Sequence, residues 1–441
     1  MSLTSLKKRS PTRNEPKGSV LRVLHLAATD GAGGADRAAY RVHEALQHES
    51  SVDSRMLVSR RTTEDPSVET IETTWVGRNV GPPLRRLARY EKRALLRTPN
   101  AVIHSTARIP TTAPRRITAI GPDVVLLHWL GSEVLSIRQM GRLARSGPPL
   151  AWLLHDEWAF CGAEHYPEEV EGERFTEGYR RRNRPVGERG VDLNRLTWAR
   201  KLRNWTAPIH LVAPSTWMEK QIRRSALMGQ WQTTVIPHPL AVDWWGSVAR
   251  DRARHELGLD PNRPIILFGA VGGEANPRKG GDLLRLALPR VFEQRRALRQ
   301  TLPELITFGG APGVTRVGAV AARSVGRLDD TSLRLHYSAA DVVVVPSRQE
   351  AFGQTASEAM ACGTPVMAFA VGGLTDIVED GVNGRLAPPF STEALAEGIL
   401  WVLGDRDRHR RLSEAASRSA SRWDPERVAR MYVDVFSQIQ E

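Results

Sequence analysis

"VLRVLHLAATDGAGGADRAAYRVHEAL", residues 20–46, decides the fold. A run of leucine and valine stops at a glycine-rich turn, Gly31 to Gly34, and a helical pattern begins near Ala35. Strand, glycine loop and helix in that order open a parallel sheet covered on both faces. The alternation recurs. "DVVLLHWL" (123–130) precedes a helical pattern near 133–145, "LAWLLHD" (150–156) runs into a polar segment, and "IHLVAPS" (209–215) leads into a helix from Thr216. A second series starts at "PIILFGA" (264–270) and continues through "LITFGG" (305–310), "DVVVVPS" (341–347), "TPVMAFA" (364–370) and "GRLAP" (384–388). These series predict an α/β chain of two doubly wound Rossmann-like domains facing a cleft, meeting near residue 246. The domains are residues 20–245 and 246–420, with 421–441 a C-terminal helix placed to cross back to the first.

Length and composition agree. A chain of 441 residues exceeds one comfortable core, and 41% hydrophobic with 25% charged residues excludes fibrous and wholly disordered classes. Residues 1–19 are polar and basic without an apolar segment, and read as a disordered extension, not as a secretory signal. Apolar runs all fall short of the ~18 residues a spanning helix needs. Cys161 and Cys362 are the only cysteines, which gives no disulfide framework and suits a cytoplasmic setting. The net charge of +13 lies wholly in residues 1–250, with 38 Lys+Arg against 25 Asp+Glu, while residues 251–441 hold 24 of each. Such a half draws nucleic acid, an anionic membrane surface or an acidic substrate, or is a solvated arginine-rich surface.

Ligands of doubly wound sheets bind beyond the carboxyl ends of strands. There stand His128, His155, the Gly31–Gly34 loop, Lys279 and Glu350. The chain has 55 arginines and seven lysines, and Lys279, in "ANPRKGGDLL" (275–284), is the sole lysine of residues 251–441. An ammonium in a glycine-flanked loop, just before a helix starting near Gly281, suits a phosphate: the helix start adds free N–H groups. With Arg278 it holds a diphosphate without metal; the plain alternative is a solvated loop cation. Gly33 and Gly34 let backbone approach an oxyanion, or simply form a tight turn.

"PSRQEAFGQTASEAMACGTPV" (346–366) carries two carboxylates, Glu350 after a buried strand and Glu358 eight positions on. Carboxylates accept hydrogen bonds from sugar hydroxyls, and "FGQT" sets backbone N–H groups at a helix start. A capping box over Thr355 to Glu358 is the structural alternative.

This Glu350/Glu358 spacing, with "EAMACGTPVMAFAVGGLTDIVEDGVNGRLAP" after it, resembles the donor motif of family 4 retaining glycosyltransferases of the GT-B fold. "GGADRAAY", "LHWL" and "LHDEWAF" are similar to the branch that builds surface polysaccharides. The resemblance implies a nucleotide-diphosphate sugar as donor, a carbohydrate or lipid-linked acceptor, and neither cofactor nor metal. It implies that Glu350 binds hydroxyls of the donor sugar and Glu358 those of the ribose. Phe352, Gly353, Gln354 and Thr355 would approach sugar and diphosphate through their backbone. Lys279, with Gly33 and Gly34 opposite, would compensate the leaving diphosphate, and His155 would sit by the sugar as the cleft histidine. Departures are Glu274 where relatives place an arginine, Glu164 where relatives have a cysteine, and "PHPL" with His238 in place of Pro-Asn-Gly.

Other readings stay open. His155, Asp156, Glu157, Cys161, Glu164 and His165 are dense in ligand types but match no zinc spacing; Asp405 and Asp407 suit a helix cap better than a metal. Residues 167–192 read as a long loop. Residues 82–97 pattern as a basic amphipathic helix, either a peripheral contact to an anionic membrane or a packed helix with a solvated face. A sugar-nucleotide epimerase shares the fold. Nucleic acid is not expected as a partner, for no recognition module accompanies the basic half.

Overall fold

The computed structural model describes residues 20–72, 96–98, 100, 102–131, 134–167, 173–246, 248–269, 276–317 and 320–441. The first part of the chain forms β1 (Leu21–Thr29), β2 (Val52–Arg60), β3 (Val68–Thr70), β4 (Leu96–Arg97), β5 (Val124–Leu127), β6 (Leu150–Leu153), β7 (Arg189–Gly190), β8 (His210–Ala213) and β9 (Thr233–Val235). Seven of these make a parallel sheet in the order β3-β2-β1-β5-β6-β8-β9, and β4 pairs antiparallel with β7. The second part forms β10 (Ile265–Gly269), β11 (Glu304–Phe308), β12 (Gly313–Val317), β13 (Val320–Ser324), β14 (Val342–Val345), β15 (Val366–Phe369) and β16 (Gly384–Ala387). Its order is β12-β13-β11-β10-β14-β15-β16, parallel except for the β12/β13 pair at one edge. Both sheets reverse strand order beside their first strand, β1 or β10, so a ligand crevice opens at the same place in each. The expected α/β architecture of two doubly wound sheets is the one observed.

The physical cause is visible in the central strands. Val124–Leu127 and Val342–Val345 are uninterrupted apolar runs and every residue in them is buried, as strands covered by helices on both faces require. Side-chain caps place the helix starts: Ser136 and Gln139 form a capping box, Ser215 caps Thr216–Arg224, and Asp405 accepts from the Arg408 N–H.

Two local expectations change. Trp244 and Trp245, counted with the first domain in sequence, pack into the second core beside Leu240, Tyr337 and Trp423. Residues 173–192 are no bare loop: buried Arg174 donates to Asp192 (2.7 Å) and to the Arg180 carbonyl (3.4 Å), and lies over the Tyr179 ring. The amphipathic pattern of 82–97 falls outside the described residues except Leu96–Arg97, which form β4 and not the end of a helix. The last helix, Pro425–Gln440, buries Val428, Tyr432, Val435 and Phe436 against Val23, Leu126 and Ala151 of the first sheet and Leu46 of the helix Gly34–Gln47.

Candidate active site

Lys279 stands in a 3₁₀ turn, Pro277–Lys279, followed by Gly280 in the left-handed region and the helix Gly281–Ala297. The turn is pinned to the loop after β14. Arg348 N–H donates to the Arg278 carbonyl at 2.8 Å, and the Arg348 guanidinium to Asp282 at 2.8 and 2.5 Å. Gly280 makes the approach feasible: its φ is +68°, and a Cβ there would lie 1.8 Å from the Pro346 carbonyl oxygen. Gly280→Ala is therefore expected to cost ~3 kcal/mol or more, against ~1 kcal/mol for Gly258→Ala, since Gly258 has φ +63° and open space. Denaturation midpoints of the two variants check this; equal losses would remove the steric part.

So held, the Lys279 ammonium donates to Glu350 Oε1. Glu350 also accepts from Ser347 Oγ at 2.9 Å, and its second oxygen is 3.7 Å from Arg278 Nη1. Burial pushes the Glu350 carboxyl up, but Lys279 and Arg278 outweigh it and hold the group below the usual carboxylate range. Burial likewise pushes Lys279 below the ordinary lysine range, with Glu350 opposing. Arg278 donates to the Gln349 carbonyl at 2.9 Å and its guanidinium lies 4.4 Å from the ring centre of Tyr166, in the loop that follows β6. Lys279, Arg278 and Glu350 are thus brought together. Glu274 lies outside the described residues.

Gly353, with φ +113°, starts the helix Gln354–Ala361. Thr355 and Glu358 lie inside that helix, so the capping-box alternative is corrected: the cap is Gly353, with no side-chain bond. Glu358 reaches elsewhere. It accepts from Arg41 Nη2 at 2.7 Å and from Tyr337 Oη at 3.1 Å. Arg41 comes from the helix Gly34–Gln47, one turn after Arg37, whose guanidinium is 3.5 Å from Glu358 and donates to Asp330. Gln354 bridges likewise, accepting from Arg41 at 3.2 Å and donating to the Gly34 carbonyl at 2.7 Å. Gly34 therefore faces Gln354 directly, while the nearest side chain to Gly33 is Asp36 of its own helix. Phe352 is buried beneath, 4.7 Å from the His238 ring. Arg37 and Arg41 were not singled out in the sequence, where helix arginines resemble a solvated face; their spacing of four is the one signal they offered.

His155 follows β6 and contacts the His128 ring through a 3.2 Å nitrogen–nitrogen hydrogen bond. Beside it the dense set of ligand types resolves into internal bonds. Asp156 accepts from Trp129 Nε1 (2.6 Å), His165 Nδ1 (2.6 Å) and the Trp158 N–H (3.0 Å); Glu164 accepts from Tyr179 Oη. Among the described residues no group of three or more His, Cys, Asp or Glu is arranged to hold a metal ion. Cys161 and Cys362 are buried thiols, and burial pushes Cys362 up to about 12. A residue the sequence reading passed over organises this floor. Buried Lys201 donates to the carbonyls of Trp158, Cys161 (3.0 Å) and Gly162 (2.8 Å) and lies over the Trp158 ring.

With this geometry in view, the comparisons are specific. Residues 320–419 match the family model described as Glycosyl transferases group 1. The D-inositol 3-phosphate glycosyltransferase of Xylanimonas cellulosilytica is 37% identical over 204 residues, 44% of this chain and 46% of that protein. That of Geodermatophilus obscurus is 36% identical over 224 residues, 48% of each. The chain spans about half the length of the curated relatives it matches. Sucrose-phosphate synthase from Thermosynechococcus elongatus superposes with TM-score 0.65 at 20% identity, over 95% of this chain and 99% of that one. HepE of Anabaena, in complex with UDP and glucose, gives 0.64 at 19% identity over the same shares. At such identities the likeness speaks for the fold: two facing doubly wound sheets, the GT-B arrangement of glycosyltransferases.

Proposed function

We propose that this chain transfers a sugar from a nucleotide-diphosphate donor to an acceptor hydroxyl, with retention at the anomeric carbon. One observation carries the reading. Half-buried Lys279 and buried Glu350 form an ion pair at the carboxyl ends of β10 and β14, beside two helix starts at Gly281 and Gln354 that lack side-chain caps. Backbone N–H groups at such starts favour an anion, and the ammonium adds a full charge where negative charge grows as the glycosidic bond to phosphate breaks. In this scheme the diphosphate lies on those helix starts and Lys279 turns from Glu350 towards it. Glu350 is then free to accept from sugar hydroxyls. Glu358 takes the ribose hydroxyls once Arg41 and Arg37 yield, and a donor phosphate oxygen receives the acceptor's proton on the same face. No protein nucleophile and no metal are invoked. Closure of the Gly33–Gly34 loop on Gln354 excludes water and limits hydrolysis.

The nature of the acceptor divides two readings. The motifs near residues 128 and 155 support a carbohydrate or lipid-linked acceptor in surface-polysaccharide assembly at the cytoplasmic face of a membrane. The names of the curated relatives, with the +13 charge of residues 1–250, support a phosphorylated cyclitol.

Thermal unfolding with UDP, GDP, ADP and their glucose conjugates tests the donor. At 100-fold over Kd a bound nucleotide adds ~2.7 kcal/mol to stability. One nucleotide series should stabilise the wild type, and Glu358→Gln should lose most of that gain. If none stabilises the wild type, the donor assignment is wrong. Incubating the stabilising sugar nucleotide with inositol phosphate or a lipid-linked saccharide then separates the two acceptors; epimerised donor without transfer would replace both.

A further inference from the structure

Five histidines form a ladder across the first sheet to the cleft. Ring centres are spaced 5.2 Å from His43 to His25, 5.1 Å to His128, 5.5 Å to His155 and 5.2 Å to His238. His25 lies in β1, His128 just past β5 and His155 just past β6, three neighbouring strands, so the ladder follows from the sheet order. Its middle is hydrogen-bonded. His25 Nδ1 meets His128 Nε2 at 2.9 Å, and His128 Nδ1 meets His155 Nε2 at 3.2 Å.

A neutral imidazole has one N–H and one lone pair. His128 uses both nitrogens, so its single proton sets the direction of the whole chain. In one direction every Nδ1 carries the proton, which leaves His25 Nε2 as a bare lone pair and His155 Nδ1 as an N–H. In the other, every Nε2 carries it, which leaves an N–H on His25 and a lone pair on His155. Both end atoms, His25 Nε2 and His155 Nδ1, are buried and have no hydrogen-bond partner among the described residues. The ends differ in access. His25 is wholly sealed, whereas His155 lines a recess with Trp129, Trp158 and His165. An orphaned N–H sealed in a core is rarer than an unused acceptor, and of the two ends only the His155 ring borders a recess, one that admits a single water or ligand oxygen.

We infer that His25 and His128 lock His155 in its Nδ1–H form, so that His155 meets a ligand oxygen in the cleft as a hydrogen-bond donor and not as a base. His25 and His128 are positioning residues in this scheme. The rings stay neutral because burial dominates their surroundings. It lowers His25, His128 and His238 well below the ordinary histidine value, with neighbouring rings adding, and lowers His155 to about 4 despite Asp156. The other charged groups facing the ladder are Asp65 beside His43, itself lowered to about 4, and Arg41 beside His238. The inference rests on the proposed function only for the identity of the ligand oxygen.

The test needs no ligand. In the full chain labelled with ¹⁵N-histidine, long-range ¹H–¹⁵N correlation at pH 7.5 distinguishes the two tautomers of each ring, and the spectra of His155→Gln and His128→Gln assign the signals. The result expected is Nδ1–H for both His128 and His155 in the wild type, and a shift of His155 towards Nε2–H in His128→Gln. An Nε2–H signal for His155 in the wild type overturns the inference, as does a His155 tautomer unchanged in a folded His128→Gln. Should neither variant fold, Nδ1–H signals from at least three rings of the wild type are still required, and fewer overturn it. Because this readout precedes any nucleotide, its failure and the failure of donor binding are separate results.

Discussion

Lys279→Ala is expected to lower transfer ~10²–10³-fold, the size found when one preorganised donor facing a developing oxyanion is removed. The loss should fall mainly on kcat, because the charge the ammonium meets is largest in the transition state. Stability should change far less. Without Lys279, Glu350 keeps Ser347 at 2.9 Å and Arg278 at 3.7 Å, so its charge is not abandoned. Lys279→Arg is the sharper variant. In a chain with 55 arginines an arginine would be the unremarkable residue here, yet the planar guanidinium cannot pivot in the space a compact ammonium uses between Glu350 and a phosphate. We expect it to recover less than a tenth of the lost activity. Rates for the stabilising donor, set beside urea midpoints, check both; a Lys279→Ala enzyme within a few-fold of wild type would remove the ammonium from the chemistry.

The second large effect is acid sensitivity. His43 and His155 are held at about 4 by burial, against an ordinary value of 6.5. Between those values the unfolded chain binds more protons than the folded one, so stability is complete above about 6.5 and falls with pH towards 4. At about 1.4 kcal/mol per unit for each group, the two remove about 3 kcal/mol apiece by pH 4. His25, His128 and His238 act in the same direction. Glu44 opposes them: burial raises it to about 7, so it favours the folded state at low pH and offsets roughly one histidine. The balance still predicts a steep loss. Urea midpoints at pH 7.5, 6.5, 5.5 and 4.5 should fall at each step below 6.5, and His43→Gln should flatten the slope. A flat profile down to pH 5 would mean that the ladder is hydrated and protonates freely.

What could be read from sequence follows from what each residue reports locally. Central strands announce themselves, because burial on both faces leaves no polar residue in Val124–Leu127 or Val342–Val345. Three of the four edge strands do not: β3 and β9 have three residues each, and β12 exposes Val314 at 81%, so no apolar run marks them. In the site, Lys279 was legible from its rarity and its glycines. The same rarity marks Lys201, one of seven lysines, but its three carbonyl partners come from a loop about 40 residues earlier and only the fold reveals them. Glu358 was ambiguous because a helix start can begin at Ser, Thr or Gly, and only the backbone of Gly353 settles which. Arg37, Arg41 and His25 were silent for a different reason. Their function depends on which face of a helix or strand meets another part of the chain, and periodicity locates a face without naming its partner.

The central claim is that the Lys279 ammonium compensates a diphosphate at the carboxyl ends of the second sheet. A crystal structure of the wild type with the nucleotide diphosphate that most raises its unfolding temperature tests this directly. The result expected is Nζ within hydrogen-bonding distance of a β-phosphate oxygen, with Glu350 released and Glu358 on the ribose. A diphosphate bound elsewhere, with Lys279 still on Glu350 and Arg41 still on Glu358, would contradict it.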